Sequence, residues 1–267
     1  MDCYGYVPGQ EGRLDDVHAW VRELNRWFLS ELQDWNTRPD WDESSPAAYA
    51  AGRRGAHLLM DYVVSNSLPS VVVGRHLDSK GMPAHLSPSI CRSLNAGGIT
   101  RLVLGHTPHG NAPTIIKSGT SKGRLTAEGG AVETIMCDTS YSDMSKPDNR
   151  GSAVSAVSLL ADRTTRVHGV LQDGRRISYH LEPGVGPPAE LVGLEEPVKP
   201  PPPAADGTTP DQQRYFVKAA LASGELLMCH VSGFKASDTT RQRSSSPSPL
   251  HLSSSLPSIS LLPPASP

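Results

Sequence analysis

The sequence has no excess of charge of either sign: 25 Lys and Arg stand against 27 Asp and Glu, a net charge of −2. So balanced a chain offers no electrostatic footprint for nucleic acid or for an anionic membrane surface. It has no apolar run of bilayer-spanning length, and Met1-Asp2-Cys3 does not open a signal peptide. A soluble chain in the cytoplasm or another intracellular compartment is expected. Cysteine is scarce. Cys3, Cys91, Cys137 and Cys229 lie far apart, which excludes a disulfide framework and a Cys-x-x-Cys zinc site and fits a reducing compartment.

Proline is abundant, but only in places. Pro and Gly number 24 each in 267 residues, about 18% against a usual 12%. The excess divides the chain. Residues 237–267 hold 11 Ser and 6 Pro, too little apolar surface to offset the entropy of ordering, so a disordered tail is expected there. Ser246-Pro247 and Ser248-Pro249 would suit proline-directed kinases, although a solvated tail without a role is the simpler reading. Residues 183–210 contain nine prolines, four of them consecutive at 200–203. Such a run favours polyproline II and reads as a surface loop, with docking to a proline-binding module as the alternative. The domain is therefore expected over 1–236, with a Pro-rich loop at 183–210 and a tail at 237–267.

Within the domain the hydrophobic period changes once. Residues 14–36 place Val17, Trp20, Val21, Leu24, Trp27, Phe28 and Leu32 at three- and four-residue spacing, which predicts an amphipathic helix. All four tryptophans lie in the first 41 residues, and core packing explains them more simply than a ligand platform does. A second helix is predicted over 46–65 and a short third over 88–96, ended by Gly97-Gly98. Short β-branched runs then predict strands at 70–74, 101–105, 114–117, 132–137, 153–160, 165–171 and 177–181. Asp173-Gly174 and Ser223-Gly224 mark hairpin turns, the second joining strands at 215–221 and 225–233.

The segment Leu102-Val103-Leu104-Gly105-His106-Thr107-Pro108-His109-Gly110 carries the strongest chemical signal. A buried strand ends at Gly105 and sets His106 at its carboxyl end, a rigid place that opens onto a cleft. Thr107-Pro108 forces a turn, and Gly110 lets the backbone pass closely. Strand–Gly–His–turn is a spacing at which a histidine can serve as a metal ligand, the alternative being a hydrogen-bonded histidine at a strand end.

Gly105-His106-Thr107-Pro108, with Gly110, resembles the C-terminal metal motif of the calcineurin-like metallophosphoesterases. Downstream, Cys137-Asp138-Thr139-Ser140-Tyr141-Ser142-Asp143 followed by Asp148-Asn149-Arg150-Gly151 is similar to the Tyr-bearing loop and Asp-Asn-x-Gly strand start of their serine/threonine phosphatase branch. The resemblance implies an α/β (α+β) fold, part of a two-sheet sandwich flanked by helices. It implies hydrolysis of phosphate monoesters by two divalent ions, Mn, Fe or Zn, bridging a water. By resemblance His106 is a metal ligand, His109 a second one found in some branches, and Tyr141 a substrate contact at the cleft rim. Arg75, with His76, is expected to face the same cleft after the strand at 70–74.

The sequence lacks the rest of that family's pattern. Gly-Asp-x-x-Asp, Gly-Asn-His-Glu and a His-Gly-Gly segment are all missing, and no catalytic residue is identifiable. The chain thus reads as the C-terminal half of such a fold, truncated at its N-terminal side, binding metal weakly or not at all. As an isolated chain it is expected to be inactive. A phosphorylated substrate is expected only for a longer form. The alternative is a non-catalytic binding module, with a protein partner at the exposed sheet edge or at the Pro/Ser-rich segments.

Overall fold

The computed structural model describes residues 3–39, 55–63, 68–121, 124–125, 130–139, 154–162, 164–170, 174–181, 192–196, 214–221, 224–232 and 235–242. They form a mixed α/β structure, as the change of period predicts. Three helices come first: α1 (Val17–Thr37), α2 (His57–Val63) and α3 (Pro88–Ala96). Twelve strands follow: β1 (Arg101–Leu104), β2 (Thr114–Ser118), β3 (Thr120–Ser121), β4 (Arg124–Leu125), β5 (Val132–Met136), β6 (Val154–Leu159), β7 (Thr165–Val170), β8 (Arg176–Leu181), β9 (Glu195–Glu196), β10 (Arg214–Ala220), β11 (Glu225–Ser232) and β12 (Lys235–Gln242).

Asp16 caps α1 by accepting from Ala19 N at 2.6 Å. Only part of the predicted stripe is used. Val17 and Trp20 are buried and Leu24 and Trp27 pack beside them, while Val21, Phe28 and Leu32 remain exposed. Trp20 donates to the Tyr6 carbonyl at 2.9 Å and stacks near Tyr4, so it is a core tryptophan. Ser87 caps α3 ahead of Pro88, and Gly97 ends it, where its sequence placed it.

The second helix is shorter than predicted. Ala56 sits at φ 54 and is not helical, so α2 starts at His57. The Asp34 carboxylate on α1 binds Ala56 N at 3.0 Å, and Gly55 lies against the Asp34 and Arg38 carbonyls. That clamp to the end of α1 breaks the helix before 57. Residues 46–54 and 64–65 lie outside the described residues.

The predicted strand at 70–74 is a turn instead. Gly74 N–H donates to the Ser70 carbonyl, Val72 N–H to Ser70 Oγ, and Val71 N–H to the Tyr62 hydroxyl. Local acceptors have taken the donors that a ladder would have used. Val71 and Val72 are exposed rather than buried.

β1, β5 and β2 form a three-stranded sheet in that order, with β1 and β5 parallel and β2 antiparallel to β5. β12, β11, β10 and β9 form an antiparallel sheet. β6, β7 and β8 make a third, and β3–β4 a two-stranded ribbon. One core joins Ile115, Ile135, Val167, Val217 and Leu227 from β2, β5, β7, β10 and β11. A second joins Ile116, Met136, Phe216 and Cys229 from the two larger sheets. The third holds α1 and α3 on Val132 through Trp20, Cys91 and Leu94. Among the described residues β1 therefore lies at an edge of its sheet, with α1 and α3 packed near it through Leu102.

Two further expectations need correction. The Pro-rich stretch is not a loop throughout: Val192 is buried in the first core, Gly193 N–H donates to the Val217 carbonyl at 2.8 Å, and β9 pairs with β10. The tail does not begin at 237 either. β12 pairs with β11 along its whole length, from Ser232↔Lys235 to Glu225↔Gln242. Residues 243–267 lie outside the described residues. Among the described residues no helix is long and apolar enough to cross a membrane.

Candidate functional site

At the open edge of β1 a cavity of about 650 Å³ separates the strand from α1, α3 and the 70–77 turn. Trp20, Leu86, Ile90, Leu94, Leu102 and Leu104 give it an apolar floor. Arg75, His76, His85 and His106 are its ionisable rim beside Cys3 and Tyr4. Arg75 and His106 are exposed. Burial holds the His76 imidazole below its ordinary pKa.

His106 follows β1 in a left-handed conformation, φ 56. With Ala56 it is one of two non-glycine residues so placed among the described residues. Histidine enters this region more readily than most residues, yet it still costs on the order of 1–3 kcal/mol, and such strain collects at functional positions. The conformation turns the chain sharply after the strand and leaves the imidazole at the cavity mouth.

His109, three residues on, goes the other way. It is 2% exposed, and its Nδ1 lies 3.1 Å from Thr114 Oγ1. Below it, Lys218 carries a fully buried ammonium, 2.7 Å from Asp238 Oδ1. The ammonium also donates to the carbonyls of His109 and of Ala112. Asp238 Oδ2 accepts from Asn111 N and Ala112 N, both at 2.8 Å. Lys218 is the residue skipped by the register shift between Val217 and Ala219 in the β10–β11 pairing. A bulge re-aims a side chain, and here it directs a lysine into the core. The loop after β1 is thereby seated on β10 and β12 by one ion pair and four backbone hydrogen bonds.

Burial first, and then the Lys218 charge, lower the His109 pKa from 6.5 to about 3, with the Gly81 backbone opposing. The imidazole is neutral throughout the physiological range. Below pH 6.5 the unfolded chain takes up a proton at this residue that the folded chain refuses, so stability is lost as pH falls from 6.5 toward 3. Between pH 6.5 and 5 this amounts to about 2 kcal/mol. Urea unfolding of the wild type and His109→Gln at these two pH values measures it. The variant should lack that part of the loss, and an unchanged pH dependence would remove His109 as its source.

The structure thus brings Arg75, His76 and His106 to one cavity and takes His109 away from it, into the loop clamp. Tyr141 lies outside the described residues, as do the Asp143 and Asp148–Gly151 stretches. Among the described residues no three His, Cys, Asp or Glu side chains come together in a way that could hold a metal ion. A dinuclear centre needs several imidazole and carboxylate ligands, so the described residues do not fit one. Three of the four thiols are held protonated: burial raises the pKa of Cys91 and Cys137 and pushes Cys229 up to about 12.

Sequence reasoning missed Lys218 and Asp238. Their backbone partners in the loop at 109–112 lie more than a hundred residues away, and no local pattern reports such a clamp. It also missed the apolar floor, whose leucines read as ordinary core. Compared with known proteins, the chain matches no family model, no curated protein and no solved structure.

Proposed function

We propose that the chain carries the C-terminal part of a calcineurin-like metallophosphoesterase fold, with His106 in the position of one metal ligand, and that the described part acts by binding rather than by hydrolysis. One observation carries this reading. A histidine held at φ 56 ends a parallel strand at the mouth of a cavity, while no second ligand accompanies it among the described residues. The open edge of β1 is consistent with a sheet that further strands would extend. Phosphate ester hydrolysis would then belong to a form in which other residues supply the remaining ligands, and Mn, Fe or Zn would be held there by imidazole and carboxylate together.

Two measurements on the 267-residue chain test the reading. With Mn²⁺ added, turnover of para-nitrophenyl phosphate should stay at the buffer rate. In imidazole NMR spectra, millimolar Mn²⁺ should broaden His106 before the other histidines, as a single weak ligand would. Metal-dependent turnover abolished by His106→Ala would overturn the binding-only part. Equal broadening of all exposed histidines would overturn the assignment of His106.

A further inference from the structure

The cavity beside β1 has a chemistry that a lone metal ligand does not explain. Its floor is leucine, isoleucine and tryptophan, and its volume of about 650 Å³ lies in the range of pockets that enclose a drug-sized molecule. Among the described residues no Asp or Glu lines it. Arg75 supplies a guanidinium at the rim, and it has no ion-pair partner among the described residues. The other ionisable lining groups are His76, His85 and His106, with the Cys3 thiol and the Tyr4 hydroxyl, whose pKa burial raises. In a chain with 27 acids and 25 bases, a rim with no carboxylate among the described residues, around an apolar floor, favours one charge sign.

We propose that this cavity binds a small anionic amphiphile: a molecule with one carboxylate- or phosphate-like group and an apolar body. The apolar body lies on Leu86, Ile90, Leu94, Leu102 and Leu104, and the anionic group meets Arg75 in a charge-assisted hydrogen bond. Val71 and Val72, each nearly half exposed at 47% and 45%, form the wall that the bound molecule would cover. The proposal needs no metal and does not rest on the role assigned to His106.

The test is calorimetric titration at a fixed pH of 8. Decanoate, 1-decanol and decyltrimethylammonium share one chain and differ in charge. Below their micellar concentrations decanoate should bind tightest and the cation weakest. Arg75→Glu should weaken decanoate about tenfold while leaving 1-decanol within about twofold. Val72→Trp, at an exposed turn position that tolerates a larger side chain, should block both. Decanoate affinity should be the same with Mn²⁺ added and with EDTA added, which separates this proposal from the metal-ligand reading. Absence of binding by the folded chain, equal affinity for the anion and the cation, or decanoate binding unchanged in Arg75→Glu would each overturn it.

Discussion

Lys218→Met should destabilise the fold by about 3–5 kcal/mol, because it removes one member of a buried ion pair and strands the other. The Asp238 side chain is 1% exposed. Its two backbone donors, Asn111 N and Ala112 N, remain, but they do not neutralise a carboxylate. The carbonyls of His109 and Ala112 lose their donor at the same time. Total stabilities of domains lie at about 5–15 kcal/mol, so the variant gives up a large part of what holds it. Urea unfolding midpoints measure the loss. Lys218→Met combined with Asp238→Asn should recover part of it, since the amide oxygen still accepts from the backbone and no charge is left buried. A loss below about 1 kcal/mol in the single variant would mean that solvent reaches the pair. The consequence extends to the cavity: the clamp seats residues 109–112, which follow His106, so the single variant should also broaden the His106 resonance through loss of one fixed pose.

How much of this could be read beforehand follows from where each interaction lies along the chain. β2 and β5 are legible because buried β-branched runs between turn residues have few other uses; β1 lies where the sequence predicts it but is not the buried strand expected, since Val103 is 51% exposed. The cap Ser87, Pro88 and the Gly97-Gly98 stop gave α3 to within a residue. The 70–74 run broke the same rule: three valines favour a strand, but Ser70 and Tyr62 offer their own acceptors to those amides. Among the described residues no strand besides β5 pairs with β1.

β12 failed for the opposite reason. Lys235–Gln242 has little apolar content, and Ala236 is its one buried hydrophobic residue. The strand is held by an unbroken ladder to β11 and by Asp238, reaching into the core toward Lys218. Composition measures apolar burial and is blind to both. The sequence predicts a turn at Thr107-Pro108 and room at Gly110 for whatever His106 holds; the bend falls on His106 itself, and Gly110 makes room for an ion pair supplied by β10 and β12.

That role of Gly110 gives the second large expected effect. Gly110→Ala should cost about 3 kcal/mol, against about 1 kcal/mol for Gly98→Ala. The two glycines share a backbone conformation, at φ 77 and φ 75, so the left-handed penalty of a side chain is common to both. They differ in surroundings. A Cβ at Gly98 meets nothing within 4 Å, whereas at Gly110 it would lie 2.5 Å from Asp238 Oδ1 and 3.0 Å from Lys218 Nζ. The carboxylate cannot swing aside without releasing Asn111 N and Ala112 N, and the ammonium cannot without releasing two carbonyls. The added methyl must therefore move the loop or part the ions. Unfolding midpoints of the two variants isolate the difference, and equal losses would show that the clamp yields. If the loop moves instead, the methyl group acts on His106 through the backbone, and the selective Mn²⁺ broadening of its imidazole should weaken in Gly110→Ala while persisting in Gly98→Ala.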